Sequence, residues 1–282
     1  MPSLLINDNK YDSLKADCEN CFALCCVALP YAKCADFSLN KEGGTPCPNL
    51  LLDYRCGIHS NLRENGFRGC TVYECFGAGQ KVSQVTYGGN DWRGNPALAK
   101  EMFDVFPIMQ QLHEMLCYLK EAIDLKETKP IHKDLEAAIK KTKSLTYLSP
   151  ESILSLDVPA HRVLINELLL NTSELVRAKA PKNPKQNELI RGKDLIGAKL
   201  KDADLRGSNL RGALLIAADL RHTDLRWTDF IGADLRDADL SGANLMGSLF
   251  LTQAQLNSAK GSRHTKLPPS LKSPDHWLNN LN

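Results

Sequence analysis

From Ile190 to Leu256 a large apolar residue stands at every fifth position: 195, 200, 205, 210, 215, 220, 225, 230, 235, 240, 245 and 250, each Leu except Phe230 and Phe250. Two places earlier stands a small residue, as in Ala198, Ser208, Ala218, Thr228 and Ala238, and the place just before the large residue usually holds Asp or Asn. Lys193 breaks the first unit, and Leu214 and Leu249 break the acidic position. A helix does not explain this spacing, because five residues at about 100° each carry the apolar position roughly 140° around the axis. In an extended segment, residues two apart share a face, so the small and the large residue both point inward and the one between points out. The other two positions make a corner, where Gly192, Gly197, Gly207, Gly212, Gly232, Gly242 and Gly247 stand. Short segments joined by corners predict a coiled solenoid, its coils stacked at about 4.8 Å with a filled interior.

A different period governs Pro96 to Ala180. Leu98, Met102, Val105, Phe106, Met109, Leu112, Met115, Leu116 and Leu119 recur at steps of three and four, and Leu135 to Ile139 and Val163 to Val176 continue the pattern. Breaks near Lys129-Pro130 and Ser149-Pro150, with Ser149 and Asp157 as candidate caps, predict three or four helices. Residues 1–95 show neither period. They carry turn signals at Gly43-Gly44, Pro46, Pro48, Asn65-Gly66 and Gly88-Gly89, and are expected to be loop-rich. Residues 181–189, with Pro181 and Pro184, read as a basic linker and 257–282 as a C-terminal cap and tail, and the stretch from Gln255 to Trp277 is expected to shield the last strand edges.

Composition sharpens the first region most. Nine of the ten cysteines lie between Cys18 and Cys75. The first 30 residues lack the features of a secretory signal, so the expected location is cytoplasmic, where crowded thiols favour metal or redox chemistry over structural disulfides. Were Ala16 to Val27 helical, Cys18, Cys21 and Cys25 would share a face, with Cys26 about 100° around. Cys47, Cys56 and Cys70 would supply ligands from afar, and a metal would contribute folding energy to a segment with little apolar core. Zinc and a cubane iron–sulfur cluster each take four ligands, so nine cysteines allow two sites or several bystanders.

With 35 Lys and Arg against 33 Asp and Glu the chain has a formal charge of +2, which gives no global field for nucleic acid or membrane, and no apolar run is long enough to span a bilayer. In the solenoid, a twenty-residue coil would stack Ile196 on Ile216 and Ile231 on Leu251, with Leu214 at the corner between. This apolar cluster predicts a contact surface, covered by the preceding helices or by a protein partner. Trp227 is a separate outward residue, read as local packing.

The repeats at 190–256 resemble the pentapeptide-repeat family. That resemblance implies a right-handed quadrilateral β-helix with four repeats per coil, about three coils here, and Phe230 stacking on Phe250. Cys21, Cys25 and Cys26, then Cys47 with Leu50, Cys56 with Ile58, and Cys70 resemble a bacterial zinc- or iron-chelating family. It departs from that family's pattern at His59 and at Leu62-Arg63-Glu64. The two resemblances together imply an α+β multi-domain protein, a loop-rich and helical cysteine module followed by the β-helix. The candidate metal ligands are Cys18, Cys21, Cys25, Cys26, Cys47, Cys56 and Cys70, with zinc or an iron–sulfur cluster as the cofactor.

No phosphate-binding loop or hydrolase motif is present, and Gly77-Ala78-Gly79 lacks the third Gly of a dinucleotide motif. The preferred reading is a metal-stabilised binding or scaffold protein with a protein partner, since solenoids are used chiefly as binding surfaces. Some family relatives are associated with antibiotic or nucleoside-analogue resistance. The alternative is an iron–sulfur or metal-dependent redox enzyme. A lesser one is a topoisomerase-binding imitation of DNA, disfavoured because 190–256 holds nine basic residues against nine Asp and no Glu.

Overall fold

The computed structural model describes residues 14–181 and 194–278. The basic linker expected at 181–189 therefore lies almost entirely outside the described residues, as do Gly192 and Lys193. The chain divides into two compact units, one of residues 1–124 and 131–168 and one of residues 125–130 and 169–282.

The first unit is helical after a loop-rich start. A single-turn 3-10 helix at Cys18–Asn20 precedes α1 (Leu24–Val27), α2 (Arg68–Thr71) and α3 (Ala78–Gln80), which runs on into a π-helical turn at Lys81–Thr86. The longest element is α4 (Ala99–Asp124), followed by α5 (His132–Leu145), α6 (Pro150–Leu154) and α7 (Val158–Arg177), within which the division between the units falls. The three-and-four spacing of the sequence becomes the buried stripe of α4, with Met102, Val105, Phe106, Met109, Leu112, Met115, Leu116 and Leu119 all inaccessible or nearly so. The start of α6 is fixed by Ser149, whose hydroxyl accepts from the Ser152 N–H, and that of α7 by Asp157, whose carboxylate accepts from the Ala160 N–H at 2.9 Å. Such caps satisfy N–H groups that the first helical turn leaves open.

The expected helix over Ala16 to Val27 does not form. The 3-10 turn ends at Asn20 and α1 begins only at Leu24, with Ala23 between them in the left-handed region at φ 56°. Cysteine spacing alone could not register this break, since no Gly or Pro marks it.

In the second unit the five-residue period becomes a stack. Parallel bridges join Asp194 to Leu214, Lys199 to Asp219, Asp204 to Asp224 and Asn209 to Asp229, and the same twenty-residue register continues to Asp229 and Leu249. Among the described residues these are isolated one-residue bridges, not long strands, because a left-handed corner interrupts the chain at every fifth residue from Gly197 to Gly247. Gly holds most of these corners. Asp202, Ala217, His222, Trp227 and Asp237 take the same conformation at φ 54–60°, which costs an L-residue roughly 1 kcal/mol or more.

The Leu column fills the interior. Leu205, Leu210, Leu215, Leu220, Leu225, Phe230, Leu240 and Leu245 are fully buried, as is Phe250. The structure also explains the Asp or Asn before each large residue. The side chains of Asp204, Asp219, Asp224 and Asp234 each accept from the N–H two residues on, turning the chain locally. Thr223 and Thr228, at the small position, use their hydroxyls to donate to the Leu200 and Leu205 carbonyls of the previous coil, at 3.0 and 2.8 Å. Asp229 is wholly buried instead of outward, and is held by Arg211 at 3.0 Å.

Beyond Phe250 the winding loosens. Thr252 and Gln255 form a reciprocal cap on α8 (Gln253–Ser258), and the Gln255 amide donates to the Phe230 and Ala233 carbonyls. Two further bridges, Asp239 to Lys260 and Asn244 to Lys266, continue the stack with offsets longer than twenty. Trp277, in α9 (Asp275–Leu278), closes this end with its indole N–H donating to the Ala259 carbonyl at 2.9 Å. Gly261 is required there, since a Cβ would stand 2.4 Å from the indole. At the other end of the stack the Arg177 Nε donates to the Gly207 carbonyl, and Ala180 lies against Gly207.

Candidate metal centre

Seven of the nine clustered cysteines fall into two packing groups. Cys26, Cys47, Cys56 and Cys70 join one small cluster with Leu62, Phe67, Tyr31 and Phe37, while Cys21, Cys25 and Cys75 pack into the core around Leu24, Val82, Met102 and Phe106. The adjacent pair Cys25 and Cys26 divides between them, their sulfurs 3.9 Å apart, because consecutive residues of α1 point about 100° apart.

Backbone bonds assemble the first group from distant segments. The Cys47 N–H donates to the Cys26 carbonyl at 2.9 Å, and an antiparallel bridge pairs Leu50 with Cys56, folding the loop so that Cys47 and Cys56 approach Cys26. Cys70 arrives on α2, its N–H bonded to the Phe67 carbonyl, while the Phe67 ring packs edge-on against Tyr31 and Phe37. The Tyr31 hydroxyl donates to the Cys47 sulfur at 3.3 Å.

A buried cation stands beside these thiols. Lys41 is 5% exposed, and its ammonium donates to the carbonyls of Val27, Glu42 and Thr45 at 3.0–3.1 Å. Burial lowers its pKa, while the neighbouring Cys47, Cys26 and Cys25 oppose that shift. The Cys26 thiol is held below its usual range by a hydrogen bond from Cys25 and by the Lys41 charge, against its own burial. Burial pushes Cys70 up to about 12, with Cys26, Cys47 and Cys56 each adding to the rise. Thiols so raised are neutral and inert at neutral pH unless a metal removes their protons.

Of the seven cysteines read as ligands, four are thus in the first group and two, Cys21 and Cys25, in the second. Cys18 is exposed and joins neither packing group. Cys34 is exposed and apart, in a tight turn where the Asp36 N–H donates to its sulfur, and Cys117 sits alone on α4. His59 is exposed and joins neither packing group. Among the described residues no three His, Cys, Asp or Glu side chains stand at ligating distance, so the thiols are neighbours that a metal would have to draw inward. The chemistry of the donor set fits such a group: four thiols of one small cluster with a buried ammonium to offset their charge.

The sequence gives no signal for Lys41, and Cys75 lies outside the ligands read from it, although it packs with Cys21 and Cys25.

On the solenoid, the five residues of the expected contact surface differ. Ile196 and Leu214 are 54% and 41% exposed, and Ile216 and Ile231 are half-buried. Leu251 is buried, correcting its outward reading: the left-handed turn at Phe250 takes the chain out of the coil and folds Leu251 into the core. Trp227 is half-buried at a corner, with the Arg226 guanidinium 5.3 Å over its ring. The charged faces are self-neutralised, since Arg206, Arg221, Arg226 and Arg236 each grip the Asp two residues earlier at 2.6–2.7 Å. Among the described residues no helix is long and apolar enough to cross a membrane.

A twenty-residue register, a Leu column and left-handed corners every five residues define a pentapeptide-repeat protein, and the pentapeptide-repeats family matches residues 194–230, 213–250 and 224–260. The chain belongs to this class, in one family with YybG of Bacillus subtilis (strain 168), which is 64% identical over 274 residues covering 96% of this chain and 98% of that protein. A pentapeptide repeat protein of the Arabidopsis thaliana thylakoid lumen is 32% identical over 27% of this chain and 56% of its own solved chain, with a TM-score of 0.15.

Proposed function

We propose that this chain is an interaction protein in which a metal-tied cysteine module is joined to a right-handed, four-sided pentapeptide-repeat β-helix that receives a protein partner. The observation that carries the metal part is the gathering of Cys26, Cys47, Cys56 and Cys70 from three separate segments into one small cluster, with the buried Lys41 near Cys26 and Cys47. Zinc bound there would cross-link those segments, and an iron–sulfur cluster would add one-electron transfer. The four cysteines would hold the group. Lys41 would offset the thiolate charge, and Tyr31 would donate to the Cys47 sulfur and so fix its orientation.

The partner reading rests on the solenoid surface. Exposed Ile196 and Leu214 offer apolar area, and the Arg–Asp pairing leaves no strongly acidic face of the kind that imitating a duplex needs.

The test of the metal part is anaerobic purification of the full chain, followed by elemental analysis and a visible spectrum. Stoichiometric metal is expected, lost in Cys70→Ser and kept in Cys34→Ser. Zinc without a visible band supports the interaction protein, whereas iron with sulfide turns the reading toward redox chemistry. A folded, metal-free chain overturns it.

A further inference from the structure

One face of the solenoid departs from its own repeat. The usual unit carries Asp before the large residue and Arg after it. Asp204, Asp219, Asp224 and Asp234 each turn the chain by accepting from the N–H two residues on, and Arg206, Arg221, Arg226 and Arg236 grip those carboxylates. The bridges Asp194 to Leu214 and Leu214 to Asp234 stack these three residues in one column, with Ile196, Ile216 and Arg236 in the column two places on. Only the last of the three coils keeps the Asp and Arg pattern on this face. Leu214 has no side-chain acceptor for the turn and is 41% exposed.

Leu249 replaces Asp at the same place in the repeat, and there the leucine is 1% exposed. At 249 the chain covers its own leucine. At 214 the coil forgoes a turn hydrogen bond and leaves apolar area in water, which gains nothing within a single chain.

The face contains its own complement. A twofold axis parallel to the stack sets the first column of one copy against the second column of the other, coil by coil. Leu214 then meets Ile216 of the second copy at the centre, and Ile216 meets Leu214. In the next coil Asp234 meets Arg236 and Arg236 meets Asp234, extending the pair that each copy already makes at 2.6 Å. Asp194 falls opposite Ile196 at the end of the patch, where its carboxylate stays in water. The other charged faces lack this match. The same operation on the face of Lys199 and Lys201 brings like charges together, and on that of Asp204 and Arg206 it pairs charges without any apolar centre.

We propose that this face joins two copies of the chain about a twofold parallel to the solenoid axis, with Leu214 and Ile216 at its centre and Asp234 and Arg236 as its charged latch. The proposal rests on the reading of Ile196 and Leu214 as a protein-contact surface and names the partner as a second copy.

The experiment is sedimentation velocity on the full chain, kept reduced so that no intermolecular disulfide contributes. A three-coil face is small and falls at the weak end of specific interfaces, so concentrations run from about 1 µM to about 500 µM. A reversible monomer–dimer equilibrium is expected. The double variant Leu214→Asp with Ile216→Arg rebuilds the usual repeat, so its circular dichroism and thermal melt are kept while dimerisation weakens at least about tenfold. Asp234→Lys alone and Arg236→Glu alone set like charges across the twofold and are each expected to be monomeric. Their equimolar mixture is expected to dimerise, because every cross-axis pair is then of opposite charge. A dimer that the Leu214→Asp with Ile216→Arg variant leaves unchanged overturns the proposal, as does a mixture no more associated than its components. A chain monomeric throughout the range overturns the second copy as occupant and leaves the face to a different protein. Elemental analysis of the same samples does not depend on the pairing, so the metal reading and this one fail separately.

Discussion

The solenoid and the cysteine module solve the same problem in opposite ways. Each lacks long secondary structure, the solenoid because a corner comes every five residues and the module because its longest helix before α4 is a few residues. In the solenoid every coil repeats the same inward Leu, outward Asx turn and left-handed corner, so order is local and is summed along the stack. In the module the partners of one thiol lie tens of residues away, as with Cys26 and Cys70, and few fully buried apolar side chains accompany them. Repetition makes stability insensitive to any one contact of the surface, whereas convergence concentrates it in a few side chains.

Three measurements sharpen that contrast. Phe230 is fully buried, so Phe230→Ala is expected to cost about 3–5 kcal/mol, seen as a lower urea midpoint of the solenoid transition. If the units are energetically independent, any metal that the cysteine module binds stays bound in the same variant. A loss of metal would show that the contrast between local and convergent order is too sharp.

A smaller effect belongs to the corners. In Gly242→Ala the new methyl would sit 2.4 Å from the His222 ring at a φ of 71°, adding a clash to backbone strain. About 1–3 kcal/mol is expected. The double variant His222→Ala with Gly242→Ala should recover the steric part and keep the strain, which separates the two by a thermal melt.

The smallest effect is acid sensitivity of the coil surface. Hydrogen bonds from Arg221 hold Asp219 down at about 2, and Arg206 and Arg236 lower Asp204 and Asp234 in the same way. A folded-state pKa below the unfolded value near ~3.9 gives stability that is fully present above that pH and fades as pH falls toward 2. These groups are largely solvated, so the expected loss is slight. Melting curves between pH 5 and pH 2 should show a shallower slope in Arg221→Ala, and an unchanged slope would mean that the Arg–Asp pairs are only surface decoration.

Much of the solenoid was legible in the chain because its geometry is set by neighbours five and twenty residues away. The inward Leu column, the corners between segments and the Phe230 and Phe250 interior positions all follow from that period. The fate of Leu251 did not, because one left-handed residue, Phe250, ends the coil and no pattern announces it. The long helices α4, α5 and α7 were legible from their apolar stripes, and the starts of α6 and α7 from Ser149 and Asp157. In the cysteine region Cys26, Cys47, Cys56 and Cys70 could be named as candidates from the resemblance of their pattern to a chelating family, yet their separation from Cys21 and Cys25 could not.

By itself the sequence determined the five-residue winding and the α4 stripe, since each depends on side chains whose direction is fixed by local backbone period. Only the tertiary structure decided which thiols are neighbours. That choice turns on the break at Ala23, the 100° step between Cys25 and Cys26, and the approach of Gly79 to Cys21 across nearly sixty residues of chain, and long-range approach of this kind leaves no periodic trace.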